Sequence, residues 1–340
     1  MGRHCCRDNE EQTVEEASIK AEEAIDVLGG RFANLNWNFR TDPSSGPNEK
    51  ISQWLGRPDE DLMLCVFKGK KIREPFHRQD FFFINFAYYG TYTALSENSD
   101  TELKMQEGDC YIGQPYSGYA LRADADNPII IYGVLFRRDV FIRDFLPILS
   151  SDSEMLRFFL EPNQDAHSDR FIHLSFGKDS PVWKLLDLMA VEYVKNDKEP
   201  DSAALMKSLT LALTMYIARE YRRERELNLR STGNSGMKVE DRMLTYISLY
   251  SDSVTLGGLA EHFGYHPNYV SALLRRRTGK TFSEIVLTER MKKAMILIRR
   301  SDMSIEKIAS LVGYGDTSNF YKAFQRVYHM TPREAARTDP

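Results

Sequence analysis

Between Thr255 and Arg337 the chain carries two copies of one pattern. Leu256, Leu259, Ala260, Phe263, Gly264 and Tyr265 return 49 residues later as Ile305, Ile308, Ala309, Val312, Gly313 and Tyr314. Beyond the turn the offset becomes 50, aligning Val270 with Phe320, Leu274 with Phe324 and Thr281 with Thr331, as one residue inserted in the turn requires. Each copy opens at a hydroxyl residue, Thr255 or Ser304, suited to cap a helix N-terminus. Apolar residues follow at i, i+3, i+4 and i+7, and the helix stops at glycine. Ala260 and Ala309 are small enough for a second helix to cross closely. That helix begins with the N1 residue Pro267 in one copy and after the N-cap Asp316 in the other. Its inward face is Val270, Leu273 and Leu274 in the first copy, and Phe320, Ala323, Phe324 and Val327 in the second. The spacing predicts helix, tight glycine turn, helix, twice over.

At 100° per residue, the face opposite that core carries Asn268, Ala272 and Arg275 in the first copy and Ser318, Lys322 and Gln325 in the second. Ser271, Arg276, Asn319, Tyr321 and Arg326 flank it. Short polar and basic side chains of this kind hydrogen-bond base edges and phosphates. Between the copies, TFSEIVLTERMKKAMILIRR reads as a connector helix with Leu287, Met291, Ala294 and Ile298 on one face. From Ser283 to Arg300 it spans about 27 Å, enough to hold two recognition helices roughly one duplex turn apart. Charge agrees with that placement. The whole chain is at −4, yet Met237–Pro340 holds 16 Lys/Arg against 11 Asp/Glu, leaving 29 basic and 38 acidic residues elsewhere. A basic end on an acidic body points to a nucleic-acid partner at the C-terminal end only.

TLGGLAEHFGYHPNYVSALLRRRTGKTFSEIV, the connector and SIEKIASLVGYGDTSNFYKAFQRVYHMTPREA together resemble the DNA-binding domain of the AraC/XylS transcription regulators. The resemblance covers about 100 residues and includes both copies, the connector length and the terminal MTPREA. It implies base-reading positions at Asn268, Ser271 and Ala272 in the first recognition helix and at Ser318, Asn319 and Lys322 in the second. Family members often carry arginine where this chain has Ala272, so the first helix is expected to contact phosphates chiefly through Arg275 and Arg276. Double-stranded DNA and RNA polymerase are the partners the resemblance implies.

Upstream the texture differs. LMLCVF, FFFINFAYY, TYTAL, CYIG and IIIYGVLF read as strands, with SENSD and RADADNP as turns. Short strands without an intervening helical pattern predict a small antiparallel barrel or sandwich rather than a parallel α/β sheet. EPFHRQDFFFINFAYYG and EGDCYIGQPYSGYAL are similar to the two signature stretches of a cupin-like effector-binding module. A metal-binding cupin would draw two histidines and a glutamate from the first stretch and a histidine from the second. Here only His77 remains, with Gln79, Phe83 and Tyr119 at the other positions, so no metal and no cofactor are expected. The same substitutions suit an organic-ligand pocket, for which His77, Arg78, Tyr88, Tyr111, Tyr119 and Arg122 are the candidates, although strand aromatics are commonly ordinary core.

After Pro181, Val182, Leu185, Leu186, Met189 and Tyr193 line one helix; Leu205, Met206, Leu209, Ala212, Leu213, Tyr216 and Ile217 line the next. Such stripes serve equally as core or as a homodimer surface. Glu10 to Leu28 has helical spacing of its own, and TDPSSGPNEK and RSTGNSG read as loop and linker. The expected organisation is an extension over 1–60, an effector-binding β module over 61–140, a helical dimerisation region over 141–227, a linker over 228–237 and the DNA-binding domain over 238–337. The fold class is α+β multidomain, with an N-terminal antiparallel barrel or cupin-like module followed by two helices, and an all-α C-terminal domain with two helix-turn-helix units.

At 340 residues and 42% hydrophobic content the chain can bury more than one core. It has no apolar run of spanning length and no signal-peptide pattern at its start, so a cytoplasmic protein without a membrane partner is expected. Its four cysteines, Cys5, Cys6, Cys65 and Cys110, form no CxxC pair. Together these features predict a dimeric transcription regulator, not an enzyme, that answers to a small-molecule effector. A cupin enzyme fused to a DNA-binding domain, and a constitutive DNA-binding protein without effector, are the competing readings.

Overall fold

The computed structural model describes residues 20–33, 39–41, 50–96, 101–145, 158, 171–196, 198–230, 238–301 and 303–337. They belong to two compact units, one drawn from Met1–Val140 and Pro162–Ile217, the other from Phe141–Glu161 and Ala218–Pro340. Among the described residues no helix is long and apolar enough to cross a membrane.

The first unit begins with helix α1 over 20–33, which buries Ala21, Ala24, Ile25 and Leu28. The part of the expected helix before Lys20 lies outside the described residues. Ten strands follow: β1 (Phe39–Thr41), β2 (Lys50–Ser52), β3 (Leu62–Arg73), β4 (His77–Gln79), β5 (Phe82–Tyr89), β6 (Tyr92–Ser96), β7 (Thr101–Met105), β8 (Asp109–Gly113), β9 (Gly118–Phe136) and β10 (Phe171–Ser175). Their main path runs β1-β2-β4-β9-β5-β8-β10, with β3 on β9 and β6 joining β9 to β7.

This is not the antiparallel barrel the strand pattern suggests. The sheet is open and mixed, because its path ends at β1 and β10 and β2 runs parallel to β4. The physical cause lies at Pro75, which has no N–H for a ladder. It ends β3, and the chain re-enters as three-residue β4 between β2 and β9.

RADADNP is also not a turn. β9 continues through it, and its register against β3 jumps from Gly69↔Ile129 to Lys71↔Asp124, so residues 125–128 bulge out of an otherwise unbroken strand. The turn-forming residues supply the bulge, while Lys71 bonded to Asp124 at 2.8 Å carries the pairing past it.

Helix α2 (Pro181–Lys195) is capped by Ser180 and buries Val182, Leu186 and Met189. The Tyr132 hydroxyl on β9 donates to the Leu186 carbonyl at 2.9 Å, fixing the helix on the sheet. Helix α3 (Ser202–Arg230) buries Met206, Leu209, Leu213 and Ile217, but Leu205, expected on that stripe, is 43% exposed. It immediately precedes the buried Met206, so it is turned by about 100° to the edge of the buried row. α3 is helical through Arg230, so the first three residues of the expected linker belong to it; 231–237 lie outside the described residues.

The second unit is built on α4 (Val239–Leu249), α5 (Leu256–Phe263), α6 (Pro267–Thr278), α7 (Phe282–Arg300), α8 (Ile305–Leu311), α9 (Thr317–Tyr328) and α10 (Pro332–Arg337). The repeat is visible as two helix pairs, α5–α6 and α8–α9. Thr255 accepts from the Gly258 N–H and Ser304 from the Lys307 N–H. Gly264 and Gly313 take the left-handed backbone, with φ of 72° and 87°. Pro267 is the N1 residue of α6, and Asp316 caps α9 by accepting from the Asn319 N–H at 2.9 Å. α4 adds Met243 and Ile247 to a core of Leu259, Ala260, Val270, Leu273 and Leu274. In the second pair Ile308, Ala309, Val312, Phe320 and Phe324 are buried. α7 opens with a capping box between Thr281 and Glu284 and buries Met291, Ala294 and Ile298; Leu287 is half-buried.

Candidate nucleic-acid interface

The inward residues of α6 and α9 are consumed by the cores, so the opposite faces are left to solvent. On α6, Asn268, Ala272, Arg275 and Arg276 are exposed and Ser271 is half-buried. On α9, Ser318, Asn319, Lys322 and Gln325 are exposed and Tyr321 is half-buried, its ring edge-on to Phe320. Each predicted contact residue therefore lies on the free or flanking face of its helix. The predicted contact residues there are polar or basic, apart from Ala272.

Three consecutive arginines end α6, and the structure separates them. Arg277 turns back to α4 and bonds Asp241 at 2.9 Å. Arg275 and Arg276 project outward. The exposed carboxyl of Glu284 at the start of α7 is held below its ordinary range by hydrogen bonds from Thr281, with weaker attraction from Arg326 and Arg275. The connector α7, 19 residues long, extends about 28 Å.

A further pair is not marked by the sequence as a contact surface, although Tyr265 belongs to the repeat with Tyr314 as its equivalent. Tyr265, 40% exposed, and Tyr269, 51% exposed, stack on each other with centroids 5.1 Å apart at the start of α6. Two large rings left in solvent beside Asn268 extend the same face, and their sequence signal as a surface is that neither fits the inward period.

Of the six candidate ligand residues of the first unit, His77 pairs with Tyr119 across β4 and β9 and the Tyr119 ring lies 4.8 Å from that of Tyr111, whereas Tyr88 and Arg122 are engaged elsewhere. His77 is buried and its Nδ1 lies 2.9 Å from the Pro75 carbonyl; burial lowers its pKa. Arg78 is buried and donates to the Tyr116 carbonyl at 2.6 Å. Tyr88 donates to Asp187 on α2. Tyr111 is stacked in the core between Phe83 and Phe171. Arg122 sits on an outer groove beside the β9 bulge and lies 3.7 Å from Glu102. Of the six, Tyr119 lines a partly open pocket, in company with Gln79 and Phe83, which the sequence places with it, and with Cys65, Glu74 and Asn85, which it does not mark as ligand residues.

Residues 259–338 match a family described as a helix-turn-helix domain. The regulatory protein PocR of Salmonella typhimurium is 37% identical over 93 residues, covering 27% of this chain and 31% of PocR. The transcriptional activator PerA of Escherichia coli O127:H6 is 32% identical over 105 residues, covering 29% of this chain and 36% of PerA. The HTH-type transcriptional activator RhaS of Salmonella paratyphi B is 29% identical over 101 residues, 30% of this chain and 36% of RhaS. The chain therefore spans about a third of the length of these relatives. Among solved structures, the C-terminal domain of AraT from Geobacillus stearothermophilus is 28% identical over 30% of this chain and 85% of that one, with a TM-score of 0.29. ToxT from Vibrio cholerae is 13% identical over 82% of this chain and 97% of that one, with a TM-score of 0.34.

Proposed function

From a C-terminal helix-turn-helix domain of the AraC type, we propose that this chain is a sequence-specific DNA-binding transcription regulator. Both helix pairs act as helix-turn-helix units, with α6 and α9 entering successive major-groove segments on one face of the duplex. The observation that carries this is the pair of exposed polar faces, Asn268 to Arg276 and Ser318 to Gln325, presented by helices joined through one connector. A span of about 28 Å for that connector suits two sites roughly 34 Å apart.

The first unit is the regulatory module. It binds a small-molecule effector and pairs with a second copy through α2 and α3, where Leu188, Leu205 and Met215 are exposed. The regulator works in the cytoplasm at promoters with RNA polymerase, and activation is the favoured sign because PerA and RhaS are transcriptional activators.

Footprinting of the full-length chain on selected sites tests the reading. Two protected major-groove segments about one helical turn apart are expected, with affinity falling steeply as salt rises because bound phosphates release counterions. Protection of one segment only, or binding indifferent to salt, would defeat it.

A further inference from the structure

In the first unit, strands β3, β4, β5 and β9, with Phe32 and Leu55, line a partly open pocket of about 40 Å³. A buried water needs roughly 10–15 Å³, so the space admits a group the size of about three or four waters and not a sugar ring. Its lining combines the apolar Phe67, Phe83 and Ile131 with the polar Glu74, Gln79 and Asn85. Asn85 donates its amide N–H to the Tyr119 hydroxyl at 3.0 Å, which leaves its carbonyl oxygen as an acceptor.

Glu74 sits where Pro75 breaks the β3 ladder. Its backbone N–H donates to the Leu121 carbonyl at 3.0 Å and its carboxylate accepts from the Leu121 N–H at 3.2 Å. Burial pushes this carboxyl up to about 7, against a smaller lowering by the Leu121 N–H. The titratable groups that face it are the Cys65 thiol and the Tyr119 phenol, and burial raises both, so both stay neutral. Among the described residues no basic side chain acts on Glu74. A half-buried carboxylate on a largely apolar pocket, with one backbone donor, is costly when ionised. A bound cation is the chemistry that removes the cost.

We propose that this cavity is the effector site and that its ligand is a small organic ammonium, held through nitrogen by Glu74 and the Gln79 and Asn85 carbonyl oxygens, with its alkyl flank on Phe67, Phe83 and Ile131. The proposal rests on the effector reading above and names the ligand's chemical class. An anion would meet Glu74 with like charge, and a neutral alcohol would leave the carboxylate without a counter-charge.

The test is calorimetric titration of the full-length chain with propylammonium, propan-1-ol and propionate, three probes of similar size and different charge. At about pH 8 propylammonium should bind saturably and at least about tenfold more tightly than propan-1-ol, and propionate should not bind. Its affinity should drop about tenfold between pH 8 and pH 6 as Glu74 takes up a proton. Glu74→Gln should remove the preference for the ammonium while leaving the alcohol unchanged. Ile131→Phe, which fills the cavity from its apolar wall, should abolish binding with Glu74 intact. Equal affinity for ammonium and alcohol in the unmodified chain, which needs no variant to fold, would overturn the proposal. So would ammonium binding that Glu74→Gln does not weaken. Binding of propan-1-ol or propionate alone, blocked by Ile131→Phe, would defeat the ammonium assignment and leave the effector reading standing. Absence of saturable binding by all three probes, and by a broad small-molecule thermal-shift screen, would defeat both.

Discussion

The Arg290 guanidinium on α7 donates to the Gly313 carbonyl at 3.0 Å, in the turn between α8 and α9. The same group donates to the Ser251 carbonyl at 2.6 Å and the Asp252 carbonyl at 2.8 Å, between α4 and α5. Its plane lies 5.5 Å from the centre of the Tyr314 ring. One side chain of the connector therefore joins the entrance of the first helix pair to the turn of the second. A flexible link between the two helix pairs would leave the separation of α6 and α9 undefined; this contact gives it a fixed point.

Arg290→Met should cost about 2–4 kcal/mol, since three carbonyls lose a charged donor at once. Arg290→Lys should recover only part of that, because an ammonium cannot span three acceptors that a planar fork reaches together. Urea unfolding of the full-length chain measures both. Destabilisation below about 1 kcal/mol in Arg290→Met would show the clamp to be incidental.

The two turn glycines, equivalent in the repeat, should respond differently to alanine. At Gly264, with φ of 72°, an added Cβ meets nothing within 4 Å, so Gly264→Ala should cost only the left-handed backbone penalty of about 1–2 kcal/mol. At Gly313, with φ of 87°, the Cβ would stand 2.2 Å from the Asp252 carbonyl oxygen, in the segment Arg290 holds. Gly313→Ala should therefore cost clearly more, about 3 kcal/mol or above. Equal losses in urea unfolding would contradict the close approach.

What the sequence reveals here depends on how local the physics is. Caps such as Thr255 and Asp316 act within three residues of themselves, and the repeat supplies an internal check on each helix pair. α4 has no second copy to announce it, yet Met243 and Ile247 complete the first core. RADADNP carries authentic turn chemistry, overridden by the pairing of β9 with β3 on either side. His77, Arg78 and Tyr111 are polar or aromatic residues in suggestive places, but backbone carbonyls and stacked rings engage them. Glu74 reads as an ordinary charge beside a proline. Its meaning depends on four strands lining one pocket beside it, which no window of sequence contains.

Substitutions on the exposed faces should separate base reading from phosphate contact. Lys322→Ala should weaken binding, by about 1–3 kcal/mol with relaxed preference in the α9 segment alone if its partner is a base. Asn268→Ala should disturb the α6 segment alone. Arg275→Ala and Arg276→Ala should lower affinity across all sequences and reduce the slope of log affinity against log salt by about 0.9 each. Arg277→Ala, already paired with Asp241 at the surface, should leave that slope unchanged and cost at most about 1 kcal/mol of stability. Binding-site selection with each variant decides: if Lys322→Ala and Asn268→Ala alter the same base pairs, the two-segment arrangement is wrong.

The half-buried carboxyl of Glu74 also makes stability depend on pH in a definite direction. Its folded value is raised from the ordinary 4.5 to about 7, so the folded chain holds this proton more tightly than the unfolded chain does. That contribution is complete below about pH 4.5 and is lost as pH rises through about 7. Other groups titrate over the same range, so the informative quantity is the difference between the unmodified chain and Glu74→Gln, whose amide keeps an oxygen for the Leu121 N–H. At about pH 4.5 the two should have similar stability; at pH 8 the variant should be the more stable, by about 1–3 kcal/mol. Urea unfolding at a series of pH values, without added ligand, reads the difference directly. A gap that does not change between those limits would mean that Glu74 is fully hydrated in solution. Propylammonium added at about pH 8 should then narrow the gap by stabilising only the unmodified chain through mass action.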